Sequence, residues 1–199
     1  MNLKAVLSAA VFALLSHSAF ATVIDFQSIP SGSCAFVGSP ITTQGFTFVD
    51  TSGGGLFNCN AGVIHNGTSA ALIAANTLSS LTMTEQGGGA FTLNGFEAGS
   101  RTNSGTAAEA LGIFVTGIKS DASSISETIN FSGLFFDPFT LSGDFSNLIS
   151  VNFLAFGGSS SEFLIDNIVV NASTVPEPAS LALLSLGLLG LGFSRRKKA

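Results

Sequence analysis

The sequence predicts an all-β protein, a two-sheet antiparallel sandwich or jelly roll, flanked by an N-terminal apolar helix and a C-terminal apolar helix. Three observations predict it. Phe, Val, Ile and Thr dominate the apolar runs of the body, and these side chains suit a pleated, half-buried surface. Gly, Ser and Asn interrupt those runs at short intervals, as turns between strands require. No part of the body carries a convincing apolar stripe of helical period.

Taken in order, Val23–Phe26 reads as the first strand. Gln44–Asp50 alternates, with Phe46 and Phe48 on one face. Ser80–Thr84, Ala90–Phe96 and Leu111–Ile118 follow. In Thr128–Phe136, Ile129 and Phe131 face one way, and Thr128, Asn130 and Ser132 the other. Ile149–Phe156 and Glu162–Asn171 close the domain, and Gly157–Ser161 between them carries a hairpin signal. Leu72–Leu81 predicts at most one short helical turn, which its Ser and Thr residues disfavour. The runs Gly53-Gly54-Gly55 and Gly87-Gly88-Gly89 lack a following Lys-Ser/Thr, so they are turns rather than phosphate loops.

The two ends read as addresses rather than fold. Lys4 precedes the apolar stretch Ala5–Leu15, and Ala19-Phe20-Ala21 supplies the small residues that signal peptidase accepts. Residues 1–21 are therefore expected to be a signal peptide, cleaved after Ala21. At the far end Ala179–Phe193 is apolar and rich in Leu and Gly, followed by Arg195, Arg196, Lys197 and Lys198. As a transmembrane helix it reaches only about 22 Å, short of a hydrocarbon core of about 30 Å, which suits temporary insertion in the cytoplasmic membrane. The basic cluster should stay on the cytoplasmic side. Residues 22–171 are left as the sandwich domain, 172–178 as a linker and 179–199 as the tail. The prolines of the linker cannot join a sheet ladder.

Trimming changes the electrostatics. Thr22–Pro178 keeps two basic residues, Arg101 and Lys119, against all twelve acidic ones, a net charge near −10. Such a surface repels phosphate backbones and excludes nucleic-acid binding. The even pair Cys34 and Cys59 in an exported chain favours a disulfide, which would stabilise the fold by roughly 3–4 kcal/mol.

The most specific motif is Val175-Pro176-Glu177-Pro178-Ala179-Ser180, followed in order by the apolar Leu/Gly segment and the terminal basic cluster. This triple resembles the PEP-CTERM sorting signal of Gram-negative bacteria. The resemblance implies processing near Pro176, Glu177 and Pro178 by the membrane protease exosortase. It also implies release or anchoring at the cell surface, and association with exopolysaccharide and biofilm matrix. The prolines keep that segment extended and accessible. Val23-Ile24-Asp25-Phe26, Gly45-Phe46-Thr47-Phe48 and Phe163–Val170 recur in domains found upstream of such tails. The closing strand is similar to that of galactose-binding-like jelly rolls.

Asp166 and Asn167 interrupt a strand that is otherwise apolar on both faces. Alternation puts Leu164, Asp166, Ile168 and Val170 on one side, and Phe163, Ile165, Asn167 and Val169 on the other. A buried carboxylate needs a partner. The resemblance implies a structural Ca²⁺ on the last strand, with Asp166 and Asp25 as oxygen ligands. The alternative is Asp166 hydrogen-bonded to a loop backbone or lying at a sheet edge. For sugar stacking, the chain has no Trp and no Tyr, only Phe, and Phe57 and Phe139 are the aromatics expected to be exposed. Catalytic residues are thinner: His65 is alone after signal removal, no Gly-x-Ser-x-Gly elbow exists, and Asp137 and Asp144 flank an apolar segment across which they would have to face each other. The leading reading is an exported, non-enzymatic surface or matrix protein. A carbohydrate-binding module for exopolysaccharide is the alternative, and a hydrolase is third.

Overall fold

The computed structural model describes residues 21–30, 34–59, 71–74, 78–100, 110–132, 136–157 and 161–171. The strands lie in one compact unit, Phe20–Ala172. They are β1 (Thr22–Ile24), β2 (Ala35–Gly38), β3 (Ile41–Thr43), β4 (Phe46–Asp50), β5 (Leu56–Cys59), β6 (Ala71–Ala74), β7 (Ser80–Glu85), β8 (Leu93–Ser100), β9 (Gly112–Lys119), β10 (Ser124–Asn130), β11 (Asp137–Thr140), β12 (Leu148–Phe156) and β13 (Phe163–Val170). The predicted all-β class, a two-sheet antiparallel sandwich, is what forms. One sheet runs β11-β8-β13-β6-β5-β2, and the other runs β10-β9-β12-β7-β4-β3. β1 and β6 divide one edge of β13, β1 against Ile168–Val170 and β6 against Phe163–Ile165.

The core lies between the sheets, and alternation within each strand fills it. Phe46 and Phe48 of β4, Leu81 and Met83 of β7, Ile113 and Val115 of β9, and Val151, Phe153 and Ala155 of β12 all point inward and are buried. From the other sheet come Leu93, Phe96 and Ala98 of β8 and Phe163, Ile165, Ile168 and Val170 of β13. Phenylalanine rings join the layers edge to face, Phe96 to Phe153 at 5.4 Å and Phe26 to Phe48 at 5.1 Å. Each such pair adds about 0.5–1.5 kcal/mol beyond the area it buries.

Four of the sequence expectations are corrected. Leu72–Leu81 holds no helical turn among its described residues: β6 covers its start, Leu78 bridges to Ser161, and β7 begins at Ser80. Pairing on both sides overrides the weak local preference of this Ala/Leu/Ser stretch. β12 and β13 are not hairpin partners, because they belong to different sheets; a Gly/Ser loop marks a reversal without saying which sheet the next strand joins. The strand expected at Thr128–Phe136 runs instead over Ser124–Asn130, and Asp137 opens β11 in the other sheet. The simple alternation of the last strand also fails. Asn167 has φ 46° and the register with β8 shifts between Asp166 and Val169. That bulge places Phe163, Ile165, Ile168 and Val170 all on the core side.

Candidate functional site

The outer face of the β11–β2 sheet gathers several of the residues singled out from sequence. Cys34 and Cys59 are bonded to each other. With Leu164 they form a small apolar cluster outside the main core, against which Phe57 and Phe136 pack. The cluster follows strand register: Phe36, Phe57, position 73, Leu164 and Gly99 are successive partners across five strands. Phe57 is half-buried here and meets the ring of Phe36 at 5.3 Å. Phe36, which the sequence reading did not single out, is the exposed member of the pair, 66% accessible. It caps Gly55, where a Cβ would come within 2.5 Å of the ring.

Asp166 is completely buried, and β13 has neighbours on both sides, so the sheet-edge alternative is overturned. Asp166 lies opposite Glu97 of β8 in the register. Its neighbour Asn167, turned by the bulge, donates its Nδ2 to Glu97 Oε2 at 2.9 Å. Asp25 follows β1 and its Oδ1 accepts the N–H of Gln27 at 3.3 Å, while its own N–H donates to Gln44 Oε1 at 3.0 Å. Among the described residues no group of three His, Cys, Asp or Glu side chains comes together as a metal site.

Below Asn167 a cleft of about 420 Å³ opens between β1, β13, β8 and β11. Its floor is a cross-strand row of Val23, Val169, Gly95 and Thr140. Gly95 is required there: a Cβ would sit 2.4 Å from the Phe139 carbonyl oxygen. Glu97, Asn167, Pro138 and Phe139 also line the cleft. Phe139 is half-buried, its ring tilted against Phe96 at 5.7 Å and Phe131 at 6.2 Å. The expectation that Phe57 and Phe139 stand exposed is thus corrected: both lean on buried neighbours. Glu97 is the cleft's one carboxylate among these lining residues. A carboxylate acceptor beside an amide, over an apolar floor, is equipped to orient a polar ligand; hydrolysis by paired carboxylates needs a second acid at a defined distance.

The other candidates fall elsewhere. Asp137 Oδ2 accepts Ser132 Oγ at 2.5 Å, and Asp144 is exposed in the turn after β11. Pro176, Glu177 and Pro178, Ala19 and His65 lie outside the described residues, whereas Ala21 is exposed just before β1. The apolar tail is also outside them; among the described residues no helix is long and apolar enough to cross a membrane.

What the molecule offers is thus a disulfide-bearing antiparallel sandwich with a shallow ligand-sized cleft on one face. Residues 174–197 match the family described as the PEP-CTERM protein-sorting motif. The chain is therefore an exported protein that carries a C-terminal sorting signal, with membrane anchoring before exosortase processing. No curated protein matches it. Among solved structures, the K2 cleaved adhesin domain of Lys-gingipain aligns at 15% identity and TM-score 0.48, covering 78% of this chain and 100% of that one. A family 29 carbohydrate-binding module aligns at 15% identity and TM-score 0.42, covering 77% and 88%. A variant of such a module complexed with cellulohexaose gives 14% identity and TM-score 0.45, covering 76% and 92%. At these values the likeness says nothing about ligand or activity.

Proposed function

We propose that this protein is a non-enzymatic component of the cell surface or exopolysaccharide matrix, delivered there through its tail. The observation that carries this reading is the sorting motif at residues 174–197, which begins four positions after β13 ends at Val170. A strand-built, disulfide-bonded and acidic body suits an oxidising compartment outside the cytoplasm. Intact mass and fractionation of the native protein test it. The expected product has lost residues 1–21, has been processed near Pro176–Pro178, retains the Cys34–Cys59 bond and resides in the envelope or matrix. Full-length, reduced chain in the cytosol would overturn the proposal.

A second reading, a carbohydrate-binding module, draws support from the cleft. Val23 and Val169 offer a C–H surface, Glu97 an acceptor and Asn167 an amide. The two readings are compatible, since a matrix protein gains retention by holding the glycan around it.

A further inference from the structure

Among the described residues, the six strands of the second sheet turn no charge to its outer face. Alternation along the strands puts Thr42 of β3, Thr47 and Val49 of β4, and Ser80, Thr82 and Thr84 of β7 on that face. Ser150, Asn152, Leu154 and Phe156 of β12 join them, as do Gly112, Phe114, Thr116 and Ile118 of β9. Ser124, Ser126, Thr128 and Asn130 of β10 complete it. Asp50, Glu85, Lys119 and Glu127, the charged residues of these six strands, all have the opposite parity. Six strands without an outward charge are unexpected in a body whose net charge is near −10.

The uncharged face has two zones. At one end an apolar patch is open to solvent. Phe114 is 40% accessible and Leu154 37%. Phe114 and Leu154 are direct cross-strand partners. The Phe114 ring lies 4.6 Å from that of Phe156, which itself lies over Gly112, where a Cβ would come within 2.6 Å of it. Beside the patch runs a field of hydroxyls and one amide already bonded across strands. Asn152 Nδ2 donates to Ser80 Oγ and Thr82 Oγ1, both at 3.0 Å. Thr116 and Ser126 hydroxyls are 3.0 Å apart, and those of Thr42 and Thr47 3.2 Å. These bonds hold the polar groups in fixed positions before any ligand arrives.

We propose that this face is a docking surface for a neutral, hydroxyl-rich polysaccharide. A pyranose chain presents apolar C–H faces and a dense array of hydroxyls, which are the two chemistries the face displays. Charge decides against an acidic glycan: of the body's two basic residues, Lys119 has inward parity, and the twelve acids repel a polyanion. Because the face is an open sheet rather than a cleft, it suits a packed, insoluble polysaccharide surface, whereas the Glu97–Asn167 cleft suits a single chain end. The assignment rests on the exported location, but it has its own test.

The exported protein, purified from the producing cell, is mixed with cellulose, chitin and insoluble β-1,3-glucan, with alginate beads as the acidic comparison. Retention is expected on at least one neutral polymer and not on alginate. The variant Phe114→Ala/Phe156→Ala, checked for an unchanged circular dichroism spectrum, should lose about tenfold or more in retention, as removal of central aromatic anchors does. Thr116→Lys, which leaves the core untouched, should weaken retention on chitin and glucan as well. Asp144→Asn, in the exposed turn after β11, should retain fully, and Glu97→Gln tells the cleft from the face. No retention on any neutral polymer, retention indifferent to the face variants, or loss confined to Glu97→Gln would each overturn the proposal. So would a sedimentation experiment in which Phe114→Ala/Phe156→Ala converts a dimer to a monomer, because the occupant would then be a second copy of the chain. Fractionation failing while retention succeeds would sink the location and leave the docking face standing.

Discussion

Asn58 lies wholly buried on β5, on the same side of the strand as the core residue Leu56. Its amide donates to the carbonyl oxygens of Phe26 at 3.2 Å and Ile29 at 3.0 Å. Those carbonyls belong to the turn that follows β1, in which Phe26 has φ 51° and Ile29 N–H donates back to Phe26 O at 3.1 Å. One amide thus ties the first turn of the domain to β5, the strand inside the β2 edge. Asn58→Ala would leave buried carbonyls with fewer donors, and should destabilise the protein by about 2–3 kcal/mol. The check is urea unfolding, with a lower midpoint at constant slope; an unchanged midpoint would show that the turn holds itself. Nothing in the sequence around Asn58 foretold this role, because its partners are some thirty positions away. The residues that were legible are those whose meaning is local. Phe46 and Phe48 declare an inward face by spacing alone, and both are buried. The Asp166–Asn167 pair announced an irregularity, but not its kind. An asparagine tolerates positive φ better than a β-branched neighbour would, so the bulge had a signal that alternation counting overlooked.

Among the elements, most of the long strands could be read, β10 being displaced, and of the shortest only β1 was. β9 and β12 span eight and nine residues with clear alternation, and sequence located them within about two residues. β2, β3, β5 and β6 have only three or four residues each, too few for a period to emerge, and they exist because neighbouring strands supply their hydrogen bonds. Sheet membership was illegible for the same reason: which strand pairs with which depends on contacts distant in sequence. At turns, side chains do local work. Asp121 Oδ1 accepts Ser123 Oγ and Ser123 N–H in the β9–β10 turn. Those bonds, the hydroxyl first, hold its carboxyl below the ordinary aspartate range. The disulfide belongs to this scale too. It joins the residue before β2, an edge strand, to the last residue of β5, 25 positions apart. Breaking it in Cys34→Ser/Cys59→Ser frees the unfolded chain and should lower stability by about 3.5 kcal/mol on the loop-entropy argument. Amide exchange should then accelerate first in β2 and β5. Equal stability of the variant and the parent would mean that the native bond is offset by strain elsewhere.

For the whole molecule, the distribution of charge is the feature that sequence and structure define jointly. Composition gave the sign and size, near −10 for Thr22–Pro178; only the strand parity revealed that one entire sheet face is exempt. Among the described residues the acids therefore sit on loops, at strand ends and in the opposite sheet, with Glu127 on the inward-parity side of β10, and two cations are too few to pair with them. Like charges confined to part of a small surface repel one another in the folded state more than in an extended chain. Screening should relieve this. Raising NaCl from about 0.01 M to about 0.15 M shortens the Debye length from roughly 30 Å to 8 Å, and the melting temperature should rise by a few degrees as the repulsion fades. Retention on a neutral polysaccharide through the uncharged face should change little over the same range, because no ion pair contributes to it. A midpoint that falls with salt would show that local attractions, such as that of Lys119 for Asp121, outweigh the repulsion. Binding that collapses with salt would place charged groups at the contact and contradict the parity of the strands. The two measurements together separate the part of the surface that keeps the protein apart from its neighbours from the part that brings it to them.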